Sequence, residues 1–578
     1  MSGKESEVGI MVGGPAGAGI ISLGISIGRA IKRHGWNVFV YDDYPSLIKG
    51  GHNMVHIRAS KHAIYSQNKN VNILVAFDNL SIEKHIHEIS PEGMIIHDAS
   101  FEPSVKRDDI SFIAIPFNKL LSEIGEIKYY NMIALGVVAS ILDMNKSIVE
   151  EVIEDTFKGK SQEIIEVNKK AFHLGFSQVR DVFYKVKIDM IKRDKERLFM
   201  DGNTAAVLGA IKAGVKYVGM YPMTPTSPIL TLMSKYEKKK KIVVKQTEDE
   251  IAAINSVIGA SFAGARSMAA TSGGGFALMV EALGMAGLME LPIVIIEGQR
   301  GSPSTGMPTY TEQGDLRFVM HAAQGETPRV VIAPGDVEET FYAVFDAFNI
   351  AEKLQTPVIV LLDKYLCTSY QSIPRFDTSK LKIDRGKLLS YEEAEKVSEY
   401  KRYSLNEEDG ISYRSLPSYP NTIHVVSSYE HDETGFTTEN IEMRNKQMEK
   451  RMKKLNALDK EIYRLRVYEK GEPEINLICW GSTKMPCLEA QRMLYEEHNI
   501  GSRVLHYLYL MPFPTEDSIA YLNDSAKNLL IELNYTSQLG GLIREHTGIE
   551  IHDKYLKYDG RPFMPEDIVE KALEILRK

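Results

Sequence analysis

Short apolar runs alternate with amphipathic stretches along the first part of the chain. The glycine loop Gly13–Gly19 is followed by an amphipathic stretch that runs to about His34, which predicts a helix. The strands predicted around it are Val8–Val12, Asn37–Tyr41, Asn72–Phe77, Gly93–His97 and Ser111–Ile115. Such alternation is typical of a mostly parallel sheet, so we predict an α/β unit.

A second series of strands and helices begins near Gly202, after a charged stretch at Ser161–Arg197 that favours a helix. Its predicted strands are Tyr217–Tyr221, Ile242–Gln246, Ser267–Thr271, Ile293–Glu297, Arg329–Ala333 and Val358–Asp363. The amphipathic stretches between them predict a doubly wound sheet.

The pattern changes between Ile373 and Gly471, where polar residues and tyrosines dominate and one long charged helix is predicted over Thr437–Leu465. A third α/β series then follows, with predicted strands Ile475–Trp480, Ser502–Leu508 and Asn528–Leu533. We therefore predict a multi-domain α/β protein with segments 1–190, 191–372, 373–470 and 471–578.

The composition narrows the possible functions. A chain of 578 residues exceeds one core, and a net charge of -8 gives no basis for binding nucleic acid. Three scattered cysteines, Cys367, Cys479 and Cys487, fit neither a metal or iron–sulfur site nor a secreted disulfide framework. The sequence shows neither a signal segment nor a membrane span, so we expect a cytoplasmic protein.

The loop Gly13–Gly19 could bring backbone N–H groups close to an anion at a helix start. Its glycine spacing departs from the dinucleotide-binding pattern, and packing alone explains many such loops. Asp42 or Asp43 ends the next strand, so a nicotinamide-dependent dehydrogenase stays an alternative on this segment. Further on, Lys49 lies in the loop Pro45–Asn53, either as part of a solvated turn or as a mobile cation for an anionic ligand.

In the second series, the loop Tyr221–Pro228 directly follows a predicted strand and contains three hydroxyl side chains and three prolines. A stiff polar loop at the carboxyl end of a strand is where α/β sheets place ligands. Two further loops, Thr271–Phe276 and Gln299–Thr309, also leave strands of this sheet. Their clustering predicts a ligand site.

Glu250 is the candidate catalytic acid. Glu248 and Asp249 are explained by helix capping, but Glu250 leads directly into the small apolar helix Ala252–Ala265. A carboxyl in such surroundings has a raised pKa, as proton transfer near neutral pH requires.

Taken together, these segments resemble the 2-oxoacid:ferredoxin oxidoreductases, in the form with fused gamma and alpha units and of the 2-oxoglutarate type. The resemblance covers almost the whole chain and rests on GGPAGAGI, YPSLIKGGHN, YPMTPTSP, TEDEIAAINSVIGASFAGARSM, GSPSTGMP and ELNYTSQLGGLIREHTG. It implies a gamma-type domain, a pyrimidine-type thiamine diphosphate domain, a linker with a helical arm and a transketolase C-terminal-like domain.

The resemblance also implies partners and cofactors. The chain would oxidatively decarboxylate a 2-oxoacid to an acyl-coenzyme A and pass electrons to ferredoxin. Thiamine diphosphate would be shared with a separate beta subunit that carries magnesium and a [4Fe-4S] cluster, because the diphosphate-binding pattern, a Gly-Asp-Gly followed by two asparagines, does not occur here. No metal site is expected on this chain.

Residue roles follow from the matched motifs. Glu250 would share a proton with the pyrimidine ring, in contact with a cofactor held also by Tyr221, Pro222 and Thr224. Thr224, Lys49, Arg300 and residue 310 would contact the substrate.

Residue 310 departs from the family pattern, because Tyr310 stands where relatives commonly have Arg or Lys. A phenol offers one hydrogen bond and no charge, so Lys49 or Arg300 would have to compensate, or the pocket would prefer a less charged substrate. This departure keeps a second alternative open, a non-catalytic or regulatory paralogue of the same subunit.

Overall fold

The computed structural model describes residues 6–46, 51–125, 129–179, 182, 184–192 and 196–577. The chain divides into two compact units. The first comprises Met1–Asp201, Thr368–Phe376 and Met564–Ile568, and the second comprises Gly202–Cys367, Asp377–Phe563 and Val569–Lys578. The α/β class with several sheets is confirmed, whereas the four domain boundaries drawn from the sequence stay a prediction.

The described part of residues 6–201 forms seven strands and six α-helices. The strands are β1 (Glu7–Pro15), β2 (Asn37–Asp43), β3 (His52–Ser60), β4 (Val71–Ala76), β5 (Ile89–Asp98), β6 (Ser111–Ile115) and β7 (Arg197–Met200). The helices are α1 (Ile20–Arg33), α2 (Asn79–His85), α3 (Phe117–Ser122), α4 (Tyr130–Ile141), α5 (Lys146–Thr156) and α6 (Gln162–Ser177).

Residues 202–376 add strands and helices in alternation. The strands are β8 (Tyr217–Met220), β9 (Val243–Gln246), β10 (Ser267–Thr271), β11 (Val294–Gln299), β12 (Val330–Ile332), β13 (Val358–Asp363) and β14 (Tyr370–Pro374). The helices are α7 (Gly202–Lys212), α8 (Ser227–Lys240), α9 (Glu250–Phe262), α10 (Gly273–Leu288), α11 (Leu316–His321), α12 (Val337–Leu354) and α13 (Lys364–Thr368).

The remaining residues complete the fold. The strands are β15 (Arg466–Lys470), β16 (Pro473–Trp480), β17 (Gly501–Tyr507), β18 (Tyr509–Met511), β19 (Lys527–Glu532) and β20 (Asp553–Leu556). The helices are α14 (Tyr391–Glu395), α15 (Ile441–Lys453), α16 (Lys484–His498), α17 (Thr515–Leu522), α18 (Gln538–Thr547) and α19 (Pro565–Leu576). Among the described residues, no helix has both the length and the apolar character to cross a membrane.

The first unit is built on an eight-stranded sheet in the order β6-β5-β4-β1-β3-β2-β14-β7. The prediction of a mostly parallel sheet is wrong here, because four of its seven strand pairings are antiparallel. The unpredicted strand β3 pairs antiparallel with both β1 and β2. Only residues 44–51 connect β2 to β3, too few for the helical crossover that a parallel neighbour needs.

This topology also disfavours the nicotinamide alternative. In the dinucleotide fold the strand carrying the glycine loop lies beside the strand that ends in the acidic residue, whereas here β3 separates β1 from β2. Asp42 is buried and accepts a hydrogen bond from Thr368 Oγ1 at 2.7 Å. Asp42, one of the two acidic residues on which that alternative depends, therefore has a structural partner within its own unit.

The second unit holds a seven-stranded sheet in the order β18-β12-β13-β11-β10-β8-β9. Its strands are parallel except for β18, which pairs antiparallel with β12 at one edge. Apolar residues of β10, β11, β13 and of the helices α9 and α10 share one core with the five-stranded sheet β15-β17-β16-β19-β20. Because these strands run parallel, their carboxyl ends lie at the same edge of the sheet, as in other α/β sheets.

Two helix predictions are too long. Among the described residues of the stretch Ser161–Arg197, α6 is the one helix, and Thr437–Leu465 forms α15 followed by a 3₁₀ turn, Lys454–Ala457. Asn440 caps α15 by accepting a hydrogen bond from the Met443 N–H at 2.9 Å. The helix ends where Lys454, which is 1% exposed, turns inward to the buried carboxylate of Glu290. Lys450, inside α15, pairs with the same carboxylate.

Candidate functional site

The loop after β8 is fixed by its own hydrogen bonds. The N–H groups of Thr226 and Ser227 both donate to the Met223 carbonyl at 2.9 Å, and the buried Asn203 side chain donates to the Pro225 carbonyl at 3.0 Å. Tyr221 is 38% exposed, whereas Pro222 and Thr224 are half-buried. The loop thus presents Tyr221, Pro222 and Thr224 from a rigid backbone at the carboxyl end of the sheet.

Glu250 is the first residue of α9, after the cap Asp249, whose carboxylate accepts a hydrogen bond from the Ala252 N–H at 2.7 Å. Unlike the exposed Glu248, the Glu250 side chain is buried, with only 3% exposure. Its Oε1 atom has no hydrogen-bond partner among the described residues. Burial, ahead of the nearby charge of Asp249, raises the pKa of Glu250.

Gly275 allows α10 to approach this carboxyl closely. A Cβ atom on Gly275, in the first turn of α10, would lie 2.5 Å from Glu250 Oε1 and would collide with Thr271 Oγ1. The hydroxyl oxygens of Thr271 and Ser272 are buried and, among the described residues, lack hydrogen-bond partners. Unsatisfied buried polar atoms are costly, so their clustering beside Glu250 indicates a place for a polar ligand.

A second carboxyl, Glu297, lies on the neighbouring strand. Glu297 of β11 is in register with Thr271 of β10, and in-register neighbours point to the same face of a sheet. It is fully buried, and burial together with the charge of Asp315 raises its pKa well above the usual value. Burial raises the pKa of Asp315 to about 6. Neither carboxyl was predicted as a site residue from the sequence, although Glu297 directly follows the apolar run Ile293–Ile296.

Arg300 connects two of the loops. Its guanidinium Nη1 donates to the Thr224 carbonyl at 2.8 Å, and the charges of Arg300 and Asp315 are close enough to influence each other. Burial lowers the pKa of Arg300. The next residue, Gly301, donates its N–H to the Tyr310 carbonyl at 3.0 Å. Hydrogen bonds to the carbonyls of Thr224 and Tyr310 therefore bring the loops that carry Thr224, Arg300 and Tyr310 together.

The remaining predicted site residue, Lys49, lies outside the residues that the structure describes. The three cysteines are buried and form no disulfide. Within the described ranges, no group of three or more His, Cys, Asp and Glu side chains is arranged to hold a metal ion.

Two family models match the chain. Residues 9–178 match the pyruvate ferredoxin/flavodoxin oxidoreductase model. Residues 208–450 match the thiamine diphosphate-binding model of pyruvate flavodoxin/ferredoxin oxidoreductase. The second match includes the loop after β8, Glu250 and the loop that carries Arg300 and Tyr310.

Relatives and a solved structure match over most of the chain. The alpha subunit of 2-oxoacid:ferredoxin oxidoreductase from Saccharolobus solfataricus is 32% identical over 98% of both chains. The 2-oxoglutarate synthase subunit KorA from Methanothermobacter thermautotrophicus is 31% identical over 66% of this chain and all of that protein. The structure of 2-oxoglutarate:ferredoxin oxidoreductase from Magnetococcus marinus, with 2-oxoglutarate, coenzyme A and succinyl-CoA bound, superposes with a TM-score of 0.91. It is 34% identical and covers 99% of this chain and 100% of that chain.

Proposed function

The chain belongs to the 2-oxoacid:ferredoxin oxidoreductase family of alpha subunits, and from this premise we propose that it converts a 2-oxoacid and coenzyme A to an acyl-coenzyme A while reducing ferredoxin. Family membership confirms the resemblance found in the sequence. Because the solved relative holds 2-oxoglutarate and coenzyme A, these two compounds are the first substrates to test.

The observation that carries the proposal is the buried Glu250 carboxyl, whose Oε1 atom has no hydrogen-bond partner among the described residues and lies beside the equally unsatisfied hydroxyl of Thr271. A carboxyl with a raised pKa can share a proton with a ring nitrogen, which is the contact that the aminopyrimidine of thiamine diphosphate would offer. Thiamine diphosphate, when bound, would supply the carbanion chemistry that decarboxylation of a 2-oxoacid requires. The donors and acceptors of this chain therefore fit that cofactor.

The residues around Glu250 would position the reactants. Glu250 would hold a proton at the pyrimidine nitrogen, and the half-buried Thr224 would offer its hydroxyl from a loop fixed at both ends. Arg300 holds the Thr224 backbone through its 2.8 Å hydrogen bond. Tyr221 and Pro222 would contact the cofactor from the same loop. Lys49 would approach the substrate as a cation, and residue 310 would lie at the substrate's edge.

A second chain is part of the proposal. The faces of α9 and α10 beside Glu250 are apolar and exposed, with Ile251 50% exposed and Leu278 49% exposed, and small residues such as Ala252 and Gly274 surround them. Exposed apolar faces next to half of a ligand site indicate a protein interface. We assign this face to a beta subunit that carries the diphosphate-binding half, magnesium and the [4Fe-4S] cluster.

A cytoplasmic location also belongs to the proposal, since three buried cysteines that form no disulfide suit a reducing compartment.

Co-expression with the candidate beta chain tests the function. The purified complex, supplied with coenzyme A and a low-potential electron acceptor, should oxidise at least one of pyruvate, 2-oxoglutarate and a branched 2-oxoacid. The rate should depend on added thiamine diphosphate. A complex that assembles and binds thiamine diphosphate but turns over none of the three would favour the alternative of a non-catalytic paralogue.

A further inference from the structure

Glu297 and Asp315 form a pair of hydrogen-bonded carboxyl groups next to the candidate site. Glu297 belongs to β11 and is fully buried, and its side chain is hydrogen-bonded to that of the half-buried Asp315. Apart from this contact, neither carboxyl oxygen of Glu297 has a hydrogen-bond partner among the described residues. Two ionised carboxylates are acceptors only, so the contact requires a proton on one of them.

The surroundings of the two carboxyls place the proton on Glu297. Burial raises the pKa of Glu297 well above its usual value, and the charges of Asp315 and Asp363 act in the same direction. Burial and the charge of Glu312 also raise the pKa of Asp315, but the hydrogen bond from Glu297 and the charge of Arg300 oppose them. Like charges that share a buried site ionise one at a time. At neutral pH a protonated Glu297 therefore donates to an ionised Asp315.

The pair lies beside the two segments that approach Glu250. Glu297 is in register with Thr271, the last residue of β10, and the Thr271 hydroxyl lies beside Glu250. Asp315 reaches Gly273, the first residue of α10, where a Cβ atom would collide with the Asp315 carboxylate. The hydrogen bond between the two carboxyls therefore connects the strand beside Thr271 to the start of α10.

The backbone around Asp315 is anchored so that its carboxylate serves this contact. The Asp315 N–H donates to Gln299 Oε1 at 3.0 Å, and Gln299 Nε2 donates to the Leu362 carbonyl at 3.1 Å. An aspartate before a helix ordinarily caps that helix with its side chain. In the described part of the chain, Asp315 precedes α11 without such a capping bond, and its side chain is directed to Glu297 and α10 instead.

We propose that Glu297 is a positioning residue for Glu250, and that its protonated carboxyl, by donating to Asp315, fixes the start of α10 against the Glu250 carboxyl. The inference rests on the proposed function, in which Glu250 holds a proton at the pyrimidine nitrogen. Glu297 acts through Thr271 and α10, without contact with the reactants. The shared proton leaves the pair with one negative charge, close enough to Arg300 to be balanced by it.

Substitutions at position 297 separate the donor from the charge. Glu297→Gln keeps a neutral donor of similar size, so thiamine diphosphate binding and kcat should stay near the wild-type values. Glu297→Leu removes the donor and leaves Asp315 unsatisfied, so thiamine diphosphate binding should weaken and kcat should fall about 10- to 100-fold, the scale for a small displacement of a catalytic group. The KM for coenzyme A should change little. Glu297→Asp keeps the acid but shortens its reach, and it should act like Glu297→Leu to a smaller extent.

A pH profile tests where the proton is held. Protonated Glu297 favours the folded chain fully below its usual pKa of 4.5, and this stabilisation is lost as the pH rises towards the higher pKa of the folded chain. Glu297→Gln stays neutral, so its melting temperature should exceed that of wild type by a margin that grows between pH 4.5 and pH 8. Glu281→Gln is the matched control, because Glu281 is an exposed carboxyl of α10, and its profile should parallel that of wild type.

The measurements use the complex with the beta chain, with calorimetry for thiamine diphosphate binding and steady-state kinetics for kcat. A growing margin for Glu297→Gln, together with wild-type binding in that variant and weakened binding in Glu297→Leu, supports the inference. A Glu297→Gln profile parallel to wild type overturns it, because Glu297 is then ionised. Equal losses in Glu297→Gln and Glu297→Leu, or wild-type binding and kcat in a folded Glu297→Leu, overturn it too.

Two further outcomes separate this inference from the proposed function. Glu297→Asp replaces Glu297→Leu if the latter variant does not fold, and unchanged binding in Glu297→Asp overturns the inference in that case. A wild-type complex that binds thiamine diphosphate but turns over no 2-oxoacid overturns the function, while the pH profiles and binding constants still decide the inference. A wild-type complex that binds no thiamine diphosphate overturns both.

Discussion

At the scale of single residues, two acidic side chains at the start of α9 have different environments. Glu248 is exposed, whereas Glu250, two positions later, is buried and has a raised pKa. Because a catalytic carboxyl must hold its proton near neutral pH, only Glu250 is suited to the proton transfer proposed here.

Glu250→Gln should leave the melting temperature of the complex nearly unchanged and lower turnover by about two to four orders of magnitude, the scale for losing a general acid–base group. Glu248→Gln is the matched control and should retain most activity. Steady-state kinetics of both variants decide the assignment. Equal losses in the two variants would show that the effect is structural or that another carboxyl is responsible.

Asp315 provides a test through pH. Burial raises the pKa of Asp315 from 3.8 to about 6. Protonated Asp315 therefore favours the folded chain, fully so below pH 3.8, and this stabilisation is lost as the pH rises through 6. Asp315→Asn keeps the neutral form at every pH. The variant should therefore gain about 1 to 3 kcal/mol over wild type between pH 4 and pH 7.

Apparent melting temperatures between pH 4 and pH 8 measure this gain. The control is Glu281→Gln, because Glu281 is an exposed carboxyl of α10. Parallel curves for wild type and Asp315→Asn would show that Asp315 ionises normally in the folded chain.

The candidate site was predictable where its functional side chains follow directly after a predicted strand. The loops that carry Thr224 and Arg300, and the position of Glu250 before an apolar helix, all have local sequence signals. The stacking of the Arg561 guanidinium on the Tyr310 ring has no such signal, because the two residues are remote in sequence and the contact depends on the backbone of Gly560. The sequence indicates Lys49 or Arg300 as the cation that compensates for Tyr310. Whether either of them contacts the substrate stays a prediction.

At the scale of elements, a buried ion cluster holds α15 against the end of α10. The Glu290 carboxylate, fully buried, lies 2.7 Å from Lys450 Nζ and 2.5 Å from Lys454 Nζ. The Arg402 guanidinium donates to the Glu290 carbonyl at 2.8 Å. The charges of the two lysines hold the pKa of Glu290 far below its usual range against the opposing effect of burial, and burial lowers the pKa of Lys454 to about 7.

Glu290→Gln should destabilise the chain by about 3–5 kcal/mol, because it leaves two buried lysines without their counter-charge. Thermal unfolding at pH 7 measures the change. Glu442→Gln on the same helix is the control, since the exposed pair of Glu442 with Lys446 should contribute little to the free energy of unfolding. Similar melting temperatures for the two variants would show that the buried cluster contributes little net stability.

The bounds of a strand were predictable where an apolar run alone determines them. Ser267–Thr271, Val358–Asp363 and Ser111–Ile115 form strands with the predicted bounds. The prediction failed for β3, whose sequence mixes polar and apolar residues, and for the length of α15. Strand order and the end of α15 depend on tertiary contacts, which a local pattern does not contain.

At the scale of the whole molecule, the proposal divides one active site between two chains. The purified chain alone should be colourless, inactive and a weak binder of thiamine diphosphate, and the complex with the beta chain should be brown and active. Metal analysis and calorimetry measure these properties. Stoichiometric iron and sulfide in the isolated chain, or tight thiamine diphosphate binding by it, would contradict the division.

Strand β14 is supplied to the eight-stranded sheet by residues that follow β13 in the chain, and it pairs with both β2 and β7. Cutting the polypeptide after Asp201 would therefore remove an interior strand from the amino-terminal fragment and expose two edges of its sheet to aggregation. Gene fission at that point would be tolerated only with strand complementation, in which the second polypeptide donates β14, or with a redesigned edge. In this chain an internal strand of one sheet is thus covalently attached to a remote stretch of sequence.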